Sequence, residues 1–181
     1  MGRLTNNDGQ VVIVDTLRRL FVLGVDLSVQ QAQNAAGNTL SLVVDTVSGA
    51  GADDYVLYFE NVGSYELNIN SISAMATAAT TLWIDHVSGT PVYVSATTTE
   101  RTNRRLGDPT NPFIDSHYDT NITGLTQEGK LFFERLDTAN KRYFLDTVSG
   151  ISIPTGQALA IRSNNDLSDV TMNCSIGIVL L

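Results

Sequence analysis

The chain has 181 residues and a net charge of −8, and hydrophobic residues make up 43% of it, which is typical of one folded domain. The acidic balance argues against general nucleic-acid binding, which depends on Lys and Arg side chains that neutralise phosphates. One cysteine, Cys174, excludes a disulfide framework, and no apolar run approaches the ~20 residues of a membrane helix, so we expect no membrane partner.

The first fifty residues contain an arm and the first predicted strands. Residues 1–10 are polar and rich in turn formers, so we predict an N-terminal arm there and a single β-sandwich domain over 11–181. Apolar runs at Val11–Val14 and Phe21–Leu27 predict two strands. Ser28–Ala36 fits either a short helix or an ordered loop.

The stretch from Tyr55 to Pro91 organises the rest of the chain. Three short apolar runs, Tyr55–Phe59, Tyr65–Ile72 and Thr80–Ile84, predict three strands. Asn61–Ser64 contains Asn and Gly, which accept the backbone angles of a hairpin loop. We therefore predict a β-meander, in which these three strands lie side by side in one antiparallel sheet.

Between residues 96 and 129 the hydrophobic pattern stops, and a long irregular loop is predicted there. Strands resume at Lys130–Leu136, and Arg142–Leu145 is predicted to pair with that strand across the turn formers Asp137–Asn140. An irregular segment of this length is typical of either a functional loop or disorder, and its apolar residues argue against full disorder.

The clearest strand closes the chain. Over Val170–Leu180, apolar residues alternate with polar ones, and this period of two indicates one buried and one solvated face. Cys174 lies in the apolar set and is predicted to be a core residue. Strands at Thr39–Val47 and Ala158–Arg162 bring the total to about ten or eleven, without a confident helix. The predicted fold is all-β, an antiparallel β-sandwich of the jelly-roll type.

A five-residue pattern, Asp-x-Val-Ser-Gly, occurs three times, beginning at Asp45, Asp85 and Asp146. Each copy follows an apolar run, so the simpler interpretation is a repeated strand ending in which Ser-Gly makes the turn. Three carboxylates that converge on a hard cation are the alternative, but the spacing of a calcium loop is missing. We predict turns and no metal.

The sequence contains no recognisable catalytic set. Its only histidines are His86, predicted at a strand end, and His117, predicted in the long polar loop. The nucleophile-elbow, phosphate-loop, dinucleotide and zinc-protease motifs are all missing. We therefore predict that the protein is not an enzyme and that it uses neither a cofactor nor a small-molecule substrate.

Arg101, Arg104 and Arg105 form a tight basic cluster in an acidic chain. A solvated loop that balances nearby acidic residues is one interpretation. The other is an anchor on an acidic partner, because Arg forms two-pronged hydrogen bonds to carboxylates. These three residues are the candidate partner-binding site.

Three stretches resemble small jelly-roll virion proteins of tailed bacteriophages. They are Tyr55–Ser73, with its N-x-G-S connection, Ser88–Pro91, and Ile153–Asn164, with its P-x-G-x-x-L-A-I pattern. The resemblance covers roughly Tyr55–Leu181, and its motifs are structural, so no functional residue is carried over from it.

This resemblance implies a homotrimer on the exterior of the virion, made in the host cytoplasm. It implies a capsid decoration, or cement, protein that binds the major capsid protein, and the arginine cluster would then be its contact. A receptor-binding knob or fibre on tail or head is the alternative, in which Tyr93 or Tyr118 would meet glycan. A carbohydrate-binding β-sandwich module is the alternative from another class.

Overall fold

The computed structural model describes residues 2–5, 11–14, 20–23, 39–104, 113–145, 150–165 and 168–179. The regular secondary structure of these ranges consists of antiparallel strands, and they contain no helix with the length and apolarity needed to cross a membrane. By its internal contacts the chain divides into two compact units, Met1–Ala32 and Gln33–Leu181. The predicted helix or loop at 28–36 lies outside the described residues.

The first unit contains a three-stranded antiparallel sheet. Its strands pair in the order β1 (Gly2–Thr5), β2 (Val11–Val14) and β3 (Leu20–Leu23). Gly2 lies opposite Val14, so residues from both sides of the predicted boundary after residue 10 share this sheet. The division into an arm and a domain stays a prediction.

The second unit contains two sheets. Sheet I has the strand order β11-β6-β14-β4-β9, with the short β12 also paired to β6. The alternation predicted from the sequence is confirmed in its central strands, where Leu40, Leu42, Met172 and Cys174 are buried. The strands of this sheet are β4 (Thr39–Val47), β6 (Glu66–Ala76), β9 (Glu100–Asn103), β11 (Arg142–Phe144), β12 (Ser152–Ile153) and β14 (Val170–Val179).

Sheet II closes on itself through its longest strand. It consists of β5 (Asp54–Asn61), β7 (Thr80–Val92), β8 (Thr97–Thr98), β10 (Ile114–Leu136) and β13 (Ala158–Ser163). The first part of β10 pairs with β5 and its second part pairs with β7, while β13 lies between β5 and β7. The pairings β5–β13–β7–β10–β5 therefore form a ring. Register shifts along β10 mark bulges, which let one long strand bend from one partner to the next.

Each face of the ring strands contributes to a different core. Leu159 and Ile161 of β13 belong to the main core, which draws buried residues from both sheets. Ala158 and Ala160 point the other way and join Tyr58, Val87 and Ile122 in a second, smaller core. The predicted all-β, antiparallel β-sandwich is confirmed, and its assignment as a jelly roll stays a prediction.

The predicted irregular loop at 96–129 is wrong. β8, β9 and the first sixteen residues of β10 occupy most of this range, and residues 105–112 lie outside the described part. The strand was missed because polar residues are frequent on both faces of β10 and its bulges interrupt the period of two.

The predicted meander has the right strands but the wrong partners. β5 and β7 lie in sheet II, whereas β6 lies in sheet I, so the chain changes sheets twice. Arg142–Phe144 likewise pairs with β6 and not with β10. Alternation indicates which face of a strand is buried, but it does not indicate which strand lies beside it.

The predicted hairpin at Asn61–Ser64 is a connection between the sheets. The Asn61 side-chain amide donates to the carbonyl oxygens of Tyr65 at 2.7 Å and Ile153 at 2.8 Å. Its oxygen accepts the backbone N–H of Gly63 at 3.0 Å. A fully buried asparagine therefore holds the crossover by satisfying backbone groups.

Candidate interaction surfaces

The predicted arginine cluster is divided by the fold. Arg101 lies in the edge strand β9 and is partly buried, and its guanidinium donates to the backbone carbonyl of Ile114. This bond ties the edge of sheet I to the start of β10. Arg104 is exposed just after β9, and its Nε donates to Ser41 Oγ at 2.9 Å. Arg105 lies outside the described residues.

The Asp-x-Val-Ser-Gly copies differ in structure. The first ends β4 as predicted, with Asp45 exposed and the chain bending after Gly49. The second is not a turn: β7 continues through it to Val92, and Asp85 is fully buried. In the third copy, residues 146–149 lie outside the described part. The prediction of a turn failed here because β7 pairs with β13 and with β10 through this copy. The buried Asp85 also has an ion-pair partner that is distant in sequence.

That partner is Arg162 of β13. Arg162 Nε donates to Asp85 Oδ2 at 2.7 Å, and another guanidinium nitrogen lies 2.9 Å from Asp53 Oδ1. Tyr55 donates its hydroxyl to the same Asp85 oxygen at 3.1 Å. Burial, followed by the charge of Asp85, raises the pKa of Tyr55 to about 12. The guanidinium also stacks over the indole ring of Trp83. This network joins β5, β7 and β13 through one Asp85 oxygen, whereas the other, Oδ1, is buried without a hydrogen-bond partner among the described residues.

Neither histidine lies where the sequence predicted it. His86 is within β7, and its Nε2 is 2.8 Å from Gln157 Oε1. His117 is within β10, where its Nε2 is 2.9 Å from Asp115 Oδ1 and its ring packs against Tyr93. Across the described ranges, no three His, Cys, Asp or Glu side chains are grouped to hold a metal ion.

A cavity of about 360 Å³ opens beside His86 and Gln157. Its walls come from sheet II and from the segment around β12, and most of them are apolar. The lining residues are His86, Leu131, Ile151, Ser152, Ile153, Pro154, Gln157, Ala158 and Leu159. The cavity therefore offers apolar contact with one hydrogen-bonding pair at its wall.

The two tyrosines expected to meet glycan are half-buried. Tyr93 packs against the second core, and burial raises its pKa to about 12. Tyr118 packs against the main core. Among the described residues, the aromatic side chains that are more fully exposed are Tyr65, Phe133 and Phe144. Glycan binding at Tyr93 or Tyr118 stays a prediction.

A second basic surface, which the sequence analysis missed, follows the end of β10 and the whole of β11. We call residues 130–144 the β10–β11 flank. Its Leu131, Phe133 and Phe144 side chains are 46%, 58% and 63% exposed, and the Phe133 ring packs against Trp83. All four of its basic residues are exposed: Lys130, Arg135, Lys141 and Arg142. A count of basic residues along the chain would have found it, since these are four of the eleven.

Comparisons with known proteins identify no relative: no family model, no curated protein and no solved structure matches the chain.

Proposed function

We propose that this chain is a structural protein of tailed bacteriophage virions, namely a capsid decoration protein. In this proposal a homotrimer binds the outer surface of the head and reinforces contacts between subunits of the major capsid protein. The resemblance of Tyr55–Ser73 and Ile153–Asn164 to jelly-roll virion proteins supports this proposal.

The observation that carries the proposal is the number of large apolar side chains exposed on a well-packed β-sandwich. Exposed apolar side chains indicate a contact with another macromolecule where they lie close together, as Leu131 and Phe133 do two residues apart on β10. The exposed fractions of the large apolar side chains range from 42% to 76%, and these side chains are Val62, Tyr65, Val92, Val94, Leu131, Phe133 and Phe144. Weak contacts of this kind, repeated over a shell, add up to a large total through multivalency.

Arg104 is the described member of the arginine cluster that is exposed to a partner. It lies beside the edge strand of sheet I, and its orientation is held by Ser41. Arg101 contributes by fixing the edge rather than by contact, because its guanidinium is bonded to Ile114. We therefore assign the contact with an acidic coat-protein surface to Arg104.

The copy number in purified particles tests the proposal. Quantitative gel bands, measured against the major coat protein, should give about one copy per coat subunit or a simple fraction of it. A ratio of a few per hundred would instead support the receptor-binding knob or fibre. Absence from particles would overturn both virion roles.

A further inference from the structure

The β10–β11 flank presents two open sheet edges. From residue 129 to residue 136, β10 pairs with β7 on one side, and no strand among the described residues pairs with its other side. β11 pairs only with β6 within the same part of the chain. Residues 137–141 join the end of β10 to the start of β11, so the two edge strands are consecutive in the chain. Open edges carry unpaired backbone groups that favour association.

The charge of the flank is opposite to that of the rest of the chain. Residues 130–144 contain four basic and two acidic side chains, hence +2, which leaves −10 for the remainder of a chain whose net charge is −8. Exposed apolar side chains lie among these charges, with Phe133 supported by Trp83. Exposed aromatic side chains and arginine, both present here, are enriched at protein interfaces.

We propose that the β10–β11 flank binds the acidic surface of a second copy of this chain. A second copy is the expected partner because the remainder of the chain, outside the flank, is strongly acidic and therefore complements the basic flank. A twofold contact of flank against flank would oppose basic residues to basic residues. The contact therefore joins different surfaces on the two copies. It closes into a dimer where it is reciprocal, and it generates a ring or a chain where each copy turns its flank to one neighbour and its acidic surface to another.

The acidic complement lies on the paired strands β5 and β10. Glu60 and Asp115 lie directly opposite each other there, and like charges in that position are destabilising. The Asp115 side chain is half exposed and bonded to His117, and Glu60 accepts the Tyr58 hydroxyl at 3.0 Å. These carboxylates lie at the start of β10, whereas the open edge belongs to residues 129–136 at the end of the same strand. A cationic side chain from another copy would relieve this repulsion.

This inference rests on the homotrimer of the proposed function and names the surfaces through which its copies meet, whereas the virion role itself is tested separately by the copy number. The contact between copies is tested by the molar mass of the full chain in solution, from sedimentation velocity or light scattering at several concentrations. The wild type is expected to associate, and 0.5 M salt should weaken the association at least tenfold, because exposed charges are screened. A wild type that stays monomeric at 100 μM would overturn the proposal.

Matched arginine variants locate the contact. Arg142→Glu should weaken association at least tenfold. Arg104→Glu makes the same charge change beside β9, at the opposite edge of sheet I, and should leave association unchanged. Circular dichroism and thermal unfolding would establish that both variants fold. Equal association of Arg142→Glu and the wild type, or equal weakening by both variants, would overturn the assignment to the flank.

A charge swap tests the complement. Asp115→Arg alone should weaken association, and its combination with Arg142→Glu should restore at least half of the lost affinity. A double variant that associates no better than either single variant would overturn the assignment of Glu60 and Asp115 as the complement. Because no particle is used, failure here would be distinct from failure of the proposed decoration role, which the copy number decides.

Discussion

Asp45 and Asp85 occupy the same position in two copies of one five-residue pattern, yet their environments are opposite. Asp45 is exposed on β4, whereas Asp85 is fully buried on β7 and bound by Arg162 and Tyr55. A buried carboxylate requires such partners, because removal from water costs several kcal/mol. The local sequence is nearly the same, so the surrounding fold determines the role of each residue.

Asp45 and Asp85 allow a matched test of the buried network around Asp85. Asp85→Asn should lower the free energy of unfolding by about 3 kcal/mol, since it leaves the Arg162 charge with only Asp53 as an acidic partner. Asp45→Asn should change it by less than about 0.5 kcal/mol, as for most surface substitutions. Urea unfolding of both variants measures the difference. An effect of Asp85→Asn as small as that of Asp45→Asn would contradict the structural role of the network.

The buried thiol of Cys174 makes the stability of the protein depend on pH. Burial raises the pKa of its thiol from the ordinary value of 9.0 to about 12, because the thiolate is disfavoured in the core. The unfolded chain therefore releases this proton first as the pH rises. The stabilisation is fully present below pH 9 and is lost progressively as the pH rises towards 12.

Urea unfolding at several values between pH 9 and pH 12 measures this loss. Cys174→Ala should reduce the slope of the free energy of unfolding by up to about 1.4 kcal/mol per pH unit, which corresponds to one proton. The slope should not vanish, because the pKa of Tyr55 and of Tyr93 is also raised to about 12. An unchanged slope would show that the thiol ionises equally in both states.

Two glycines allow the long strand β10 to pair first with β5 and then with β7. Gly89 on β7 and Gly124 on β10 have φ values of +98° and +76°, a range that residues with a Cβ rarely adopt. Their backbones also approach closely: a Cβ at Gly124 would lie 2.4 Å from the carbonyl oxygen of Thr90. The closure of sheet II into a ring depends on this close approach of the two backbones.

Gly124→Ala and Gly129→Ala form a second matched pair within β10. The first should destabilise the protein by about 1–3 kcal/mol, because it adds backbone strain and a steric clash. The second should be within about 0.5 kcal/mol of the wild type, since a Cβ at Gly129 meets nothing within 4 Å. Thermal or urea unfolding gives both values. Equal destabilisation by the two substitutions would contradict the close passage.

Two separate basic regions lie on the described surface of this acidic protein. Arg104 lies beside β9 at one edge of sheet I, and the β10–β11 flank includes β11 at the other edge. Two such regions permit two different partners, with copies of this chain on the flank and the coat protein at Arg104.

Particle binding by Arg104 variants tests this division. Arg104→Glu should reduce the copy number on particles by at least tenfold, because it reverses the contact charge. Arg104→Lys keeps the charge and should retain most of the binding, with a steeper loss in salt than the wild type. Particles that carry Arg104→Glu at the wild-type copy number would remove Arg104 from the contact.

The strands and their buried faces were predictable because alternation is a local property. β4, β5, β6, β13 and β14 were all found from short runs, and the burial of Cys174 followed from its place in an alternating strand. β10 was missed over its first half, where polar residues and bulges hide the pattern. In the candidate site, the arginine cluster was visible in the sequence, but the bond that ties the Arg101 guanidinium to Ile114 was not.

Local patterns in the sequence were sufficient to predict an all-β sandwich and to predict which residues of its clearest strands face the core. The pairing of the strands, the closure of sheet II into a ring and the burial of Asp85 are known from the three-dimensional structure alone, because they depend on interactions of longer range. Alternation and turn chemistry act between neighbours in sequence, whereas the Asp85–Arg162 ion pair joins residues 77 positions apart.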